Sequence, residues 1–316
     1  MTFAEKKYIL CLGISLTHSC PSKKKGMVGK MKLSELFSQK KPTLSFEVFP
    51  PKSDANYESV KYATEHIAKL KPDFMSVTYG AGGGTSEYTV SIAANILKNY
   101  GVTPLAHLTC VSSARDKIIN QLKSLRENGI ENILALRGDI PKDSDNAEHE
   151  YKYAYQLIRD IKENGDFCIG GACYPESHVE SKSSSEDIKH LKEKVETGCD
   201  FLTTQMFFDN NILYSFLYKI REAGITVPVV AGIMPVTNGK QIKRICELSG
   251  TYLPQRFKSI VDKFGDNPLA MKQAGIAYAT EQIIDLLANG VNAVHVYSMN
   301  KPEVAESIKN NLSNIL

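Results

Sequence analysis

Short apolar runs alternate with longer amphipathic stretches from Thr43 to the end of this 316-residue chain. The runs are rich in β-branched and aromatic residues and read as buried parallel strands, while the stretches between them carry apolar residues at helical spacing. Strands are predicted at about 43–49, 73–79, 103–108, 133–136, 168–173, 201–205, 227–230 and 293–296. Helices are predicted up to Leu70, over 86–100 and 113–128, up to Asn164, then over 184–197, 210–223, 238–248 and 268–288, with 302–312 closing the chain. An extra helix at about 254–263 precedes the last helix-strand unit. Gly129, Gly198 and Gly224 stand where three helices end, a place that suits a residue without Cβ. Eight strands in regular alternation with helices, with no break in composition, favour a (β/α)8 TIM barrel over an open doubly wound sheet. A single catalytic domain is expected over 31–316.

Residues 1–30 stand apart from that pattern. Lys6, Lys7, the apolar run 8–16 and the cluster at 23–25 faintly resemble an export signal, but Glu5 interrupts the basic start and the cleavage pattern is poor. The expectation is a disordered basic extension, or an upstream start whose true initiator is Met27 or Met31. The latter would open directly onto a short helix.

Charge changes the picture in one respect. The net +3 conceals nine Lys/Arg against two Glu in residues 1–42, a local +7, which leaves 29 basic and 33 acidic residues, or −4, for the rest. A basic nucleic-acid face is therefore not supported for the folded body. No segment reaches the roughly 18 uninterrupted apolar residues of a membrane span. Seven cysteines without a CxxC pair argue against a zinc ribbon or a disulfide scaffold, and the natural compartment is a reduced cytoplasm. The seven histidines and seven cysteines form no compact ligand set, so no metal site is expected.

Polar and glycine-rich clusters fall where the predicted strands end. Glu47 lies inside Leu44-Ser45-Phe46-Glu47-Val48-Phe49-Pro50-Pro51, a strand-like run that two prolines stop just beyond the acid. A carboxyl at the C-terminal end of a barrel strand is a candidate general acid; a structural ion pair is the plain alternative. The others are Thr78-Tyr79 with the glycine run 80–84, His107-Leu108-Thr109-Cys110, Arg137-Gly138-Asp139, Tyr174 to His178, Gln205 to Asp209, and Gly232 to Pro235. A barrel delivers all seven to one rim. The glycine run nearly imitates GxGxxG but finds Thr85 where glycine is required, so it reads as a turn permitting close approach to a ligand. Arg137 and Asp139 could form an ion pair within one turn or face a ligand, and His107 could be a core histidine. Gln205 beside two phenylalanines could be core packing or suit a flat heteroaromatic ligand. Lys182, Lys192 and Lys194 read most simply as a solvated helix face, though one or two of them could instead meet a diphosphate.

Five of these segments recur in the same order in a known family. Ser45 to Pro51, Ser76 to Ala81, His107 to Cys110, Ala135 to Asp139 and Ala172 to Glu176 resemble the methylenetetrahydrofolate reductases, over about 43–300. The resemblance implies a barrel that holds FAD at its strand ends, takes electrons from NADH or NADPH, and reduces 5,10-methylenetetrahydrofolate to 5-methyltetrahydrofolate by ping-pong hydride transfer through the flavin. Similarity to the short bacterial-type enzymes favours NADH. By position, Glu47 matches the acid that protonates folate N10, and Asp139 a second catalytic carboxylate near flavin and folate. Thr78, Tyr79, Ala81, His107, Arg137, Gly138, Asp139, Tyr153, Ala154, Tyr174, His178, Asp187, His190 and Lys194 fall at or near family FAD positions. Gln205, Gln241 and Lys301 match substrate contacts.

Two positions depart from the pattern. Glu193 stands where relatives can carry a basic residue near the FAD diphosphate, and Lys301 where an arginine can meet the folate tail. Lysine keeps that charge but loses the bidentate fork. No feedback through a regulatory domain of longer relatives is expected. A homo-oligomer is expected, with a folate as small-molecule partner and no nucleic acid or membrane. The alternatives are a catalytic subunit needing an electron-transfer partner, a proline-dehydrogenase-like flavoenzyme, and a folate- or flavin-binding module without turnover. A Schiff-base aldolase would need a strand-end lysine, which the predicted strands lack.

Overall fold

A computed structural model describes residues 31–51, 53–79, 86–111, 113–138 and 150–316. The extension over 1–30, the glycine run with Ala81, and Asp139 lie outside these residues. The elements in order are α1 (Leu33–Ser38), β1 (Thr43–Val48), α2 (Tyr57–Lys69), β2 (Phe74–Val77), α3 (Ser86–Tyr100), β3 (Thr103–Thr109), α4 (Arg115–Glu127) and β4 (Asn132–Leu136). They continue with α5 (Ala154–Asn164), β5 (Cys168–Cys173), α6 (Ser184–Gly198), β6 (Phe201–Thr204), α7 (Asn210–Glu222) and β7 (Val229–Ile233). Three helices follow, α8 (Gly239–Ser249), α9 (Gln255–Phe264) and α10 (Pro268–Ala288), before β8 (Ala293–Val296) and α11 (Pro302–Asn311). All eight strands are parallel and in sequential order, and β8 pairs with β1 to close the barrel. The predicted (β/α)8 fold and the extra helix ahead of the last helix-strand unit are both present.

Several boundaries differ from expectation by one or more residues, the second strand spanning Phe74–Val77 rather than 73–79, and two of the differences have identifiable reasons. The seventh strand runs over Val229–Ile233 rather than 227–230, because Pro228 has no N–H to give the ladder and contributes only its carbonyl, to Leu202 N at 2.9 Å. The fourth helix starts at Arg115 rather than Ser113, where the Arg115 N–H is taken by the Glu150 carboxylate at 2.6 Å.

The barrel interior is layered. Its floor packs Phe74, Leu105, Leu134, Phe201 and Val230 against Leu33 of α1, with Phe37 edge-on to Phe74 and Phe201 at ring-centroid distances of 6.0 and 5.2 Å. Asn132 fastens this plug, accepting from Leu33 N at 2.8 Å and donating to the Met31 carbonyl at 3.1 Å. Above the floor the interior turns polar. Ser45 and Glu47 point to one face of β1 by the two-residue strand period, and register sets Ser45 opposite His295 of β8 and Glu47 opposite Ser76 of β2. The outward faces of the strands meet the helices in the main core, which includes Phe46, Val48, Ile133, Leu202 and Ile233.

Candidate active site

A cavity of about 1050 Å³ opens at the C-terminal ends of β2–β5 and against α5 and α6, at the upper end of the range that holds organic ligands. Thr78, Tyr79, His107, Arg137, Gly138, Tyr153, Ala154, Tyr174, His178, Asp187, His190 and Lys194 all line it. These are the predicted cofactor positions that fall within the described residues. The backbone at Gly138 has φ +86°, and a Cβ there would lie 3.1 Å from the Thr109 side chain, so the wall requires glycine at this turn.

Charge on the walls is arranged across loops. Arg137, at the end of β4, donates from both terminal nitrogens to Glu180 of the β5–α6 loop, at 2.6 and 2.7 Å. The bidentate bond holds the Glu180 carboxyl below its ordinary pKa. The backbone N–H of Glu180 donates to His178 Nδ1 at 3.2 Å, and the His178 ring sits edge-on to Tyr174 at 4.7 Å. Burial draws the pKa of His178 down.

Of the two readings of Lys194, the solvated helix face does not hold. Lys194 passes Gly171 and donates from Nζ to the Ala172 carbonyl at 2.7 Å, and burial lowers its pKa. Lys192, two positions earlier, does stay on the surface, paired with Glu196 at 4.0 Å.

Glu47 stands beside this cavity, joined to it by His107. Its Oε2 is 3.7 Å from His107 Nε2 and 3.8 Å from Nε2 of His295. His107 is 7% exposed, and burial depresses its pKa to about 4, so the ring is neutral at neutral pH. Its Nε2 is buried without a hydrogen-bond partner among the described residues. An orphaned polar atom in the wall of an organic-ligand-sized cavity fits a site built around a polar ligand. His295 is fully engaged, with Nδ1 2.8 Å from Ser45 Oγ and Nε2 3.1 Å from Ser76 Oγ. Tyr297 follows on the same strand end; its hydroxyl donates to the Thr204 carbonyl at 2.6 Å, and burial, reinforced by the charge of Glu47, pushes its pKa far up.

The predicted substrate contacts, all among the described residues, lie outside the cavity lining. Gln205 is half-buried, its Oε1 accepting from Met206 N at 3.0 Å. The flanking Phe207 and Phe208 are both core residues, so they offer no stacking face for a flat ligand. Gln241 is exposed on the first turn of α8. Lys301 caps the start of α11 and donates to Thr237 Oγ1 at 2.6 Å, between β7 and α8. Sequence reasoning did not single out His295, Tyr297, Ser76 or Glu180 as site residues. A histidine inside the apolar run Ala293-Val294-His295-Val296 was the available signal for the first. Among the described residues no helix is long and apolar enough to cross a membrane, and no group of three His, Cys, Asp or Glu side chains is placed to hold a metal ion.

The sequence profile of the family described as methylenetetrahydrofolate reductase matches residues 32–313. The 5,10-methylenetetrahydrofolate reductase of Escherichia coli is 35% identical over 265 residues, which cover 84% of this chain and 88% of that one. Methylenetetrahydrofolate reductase (NADH) 1 of Arabidopsis thaliana is 35% identical over 295 residues, 89% of this chain and 50% of that one. The chain spans about half the length of the plant and fission-yeast relatives it matches. Among solved structures, an uncharacterized protein from Clostridium thermocellum that binds two copies of 5-methyl-5,6,7,8-tetrahydrofolic acid superposes with a TM-score of 0.60 at 14% identity, covering 90% of this chain and 100% of that one. That likeness is one of fold. With its profile match running almost from the first described residue to the last, this chain belongs to the methylenetetrahydrofolate reductase family.

Proposed function

We propose that this chain reduces 5,10-methylenetetrahydrofolate to 5-methyltetrahydrofolate, with FAD held in the cavity and NADH or NADPH as reductant. The observation that carries the proposal is the meeting of two sets of residues. The twelve described positions expected for the cofactor line one cavity, and its inner wall, His107, touches the one acid expected to serve the folate. Arg137, His190 and Lys194 supply positive or neutral donors for a dinucleotide, and Tyr153, Tyr174 and His178 supply flat surfaces. Bound FAD would supply the two-electron carrier that lets nicotinamide and folate react in turn.

Glu47 would hold the proton that passes to folate N10, opening the five-membered ring to a 5-iminium cation. Asp139 would add negative charge near the reacting centre. Gln205, Gln241 and Lys301 would orient the substrate from the β6, α8 and α11 side. Lys301 would meet a carboxylate as a point charge rather than a fork, after releasing Thr237.

The test is a purified chain, its visible spectrum with and without added FAD, and anaerobic oxidation of NADH with methylenetetrahydrofolate as the sole acceptor. A yellow holoprotein that forms 5-methyltetrahydrofolate is expected. Failure to bind FAD, or flavin reduction with no folate product, would overturn the reading.

A further inference from the structure

We propose that Tyr155 is a further cofactor-binding residue, forming with Tyr153 an aromatic wall at the cavity mouth that receives the adenine of the dinucleotide. The inference rests on the reading of the cavity as the FAD site and extends it to a residue outside the positions that the family resemblance supplies.

The two rings project from the start of α5, where Tyr153 is the N-cap and Tyr155 the second helical residue. The side chain of Gln156 fastens this turn, its Oε1 accepting from the backbone N–H of Lys152 at 2.7 Å and of Tyr153 at 2.9 Å. The rings are nearly parallel, at 14° with centroids 6.0 Å apart, the offset arrangement that aromatic pairs favour. Both line the cavity.

Core packing does not account for an aromatic side chain at 155. The inward face of α5 is Ala154, Leu157, Ile158 and Ile161, and Tyr155 belongs to none of the hydrophobic clusters among the described residues. It is half-buried, and Tyr153 is 52% exposed. Two flat side chains are thus held in the wall of an organic-ligand-sized cavity with no part in the core, an arrangement suited to a planar ring. Lys182, Glu186 and His190 line the same cavity from the α6 side and bring hydrogen-bonding groups for the edge of such a ring.

Depth decides which ring this is. The flavin must work at the inner end, where His107 is 7% exposed and touches Glu47, the acid that serves the folate. FAD carries its second ring system at its other end, so the exposed start of α5 is left for the adenine. NADH also carries an adenine, but it takes turns with folate, whereas a resident cofactor needs a lasting wall.

Equilibrium titration of the apoprotein with FAD and with FMN, which lacks the adenine, tests the assignment. Tyr155→Ala should weaken FAD about tenfold, the scale of losing one base-aromatic stack, and leave FMN affinity unchanged. Retained FMN binding also reports that the variant is folded. Tyr155→Phe keeps the flat face and should bind FAD like wild type. With FAD saturating, the KM for NADH should be the same in Tyr155→Ala as in wild type.

Unchanged FAD affinity in Tyr155→Ala would overturn the proposal, as would equal loss of FAD and FMN, or equal damage from Ala and Phe. A raised KM for NADH in place of weakened FAD would assign the wall to the reductant and overturn it too. A wild-type chain that binds neither flavin defeats the reading of the cavity itself; one that binds FAD no more tightly than FMN leaves that reading standing and removes only the role of Tyr155.

Discussion

Arg137 grips Glu180 through two parallel bonds of 2.6 and 2.7 Å, tying the end of β4 to the loop between β5 and α6 across the mouth of the cavity. The partners are 43 residues apart, and Glu180 is 56% exposed. An ion pair that open to water is worth little to global stability but can order the loop that carries it.

Glu180→Ala is therefore expected to change unfolding free energy by less than about 1 kcal/mol. Amide exchange over 177–183 should nonetheless quicken by about tenfold or more, as a local opening that costs less. Hydrogen-exchange mass spectrometry and a urea titration of the same sample check both halves. Unchanged exchange in the loop would show that other contacts hold it.

His107 should make the protein lose stability in mild acid. Burial lowers its pKa from 6.5 to about 4, so below pH 6.5 the unfolded chain binds a proton that the folded chain refuses. The stabilisation is fully present above 6.5 and is lost as pH falls toward 4, by an amount on the order of 3 kcal/mol from the linkage of pKa to folding. Urea midpoints of wild type and His107→Phe at about pH 7 and about pH 4.5 isolate this contribution, which should vanish in the variant.

Glu193 places negative charge on the cavity wall at the position where relatives can have a basic residue. If a diphosphate binds there, Glu193→Gln should tighten FAD by about threefold, the effect of one solvent-exposed charge. Glu193→Lys should tighten it further. Flavin fluorescence titration at low and high salt measures this, and the advantage should shrink with salt as screening increases. Equal affinity for all three proteins would place the diphosphate elsewhere.

Gly275 lets α10 lie against the segment between β7 and α8. A Cβ at that position would fall 1.8 Å from the Val236 carbonyl oxygen, a backbone atom that cannot swing aside. Gly275→Ala is expected to cost about 3 kcal/mol through forced displacement, despite alanine's better helix propensity. It should also disturb Thr237 and the lysine it holds, Lys301. Thermal melting tests the first effect, and the KM for folate, compared with that of Lys301→Ala, tests the second.

The sequence by itself determined the barrel, the count of its strands, and the placement of Glu47 near the C-terminal end of β1. Hydrophobic period and proline placement are local properties, and they report which residues are buried and where a strand stops. The clusters expected at strand ends converge because parallel strands all point one way, so the walls of the cavity were also legible from the chain. Pairing across the barrel was not. Ser45 meets His295 only because β8 closes on β1, and the period that marks both as buried says nothing about which strands are neighbours. Lys194 looked solvated because its own helix is mostly polar, and only the space left by Gly171 draws its chain inward to the Ala172 carbonyl. Glu180 carried no signal in its loop, since its role comes from an arginine brought close by strand order. What the tertiary structure decided was which of the buried polar groups face one another, because a hydrogen bond depends on distance and direction between atoms that the chain alone leaves far apart.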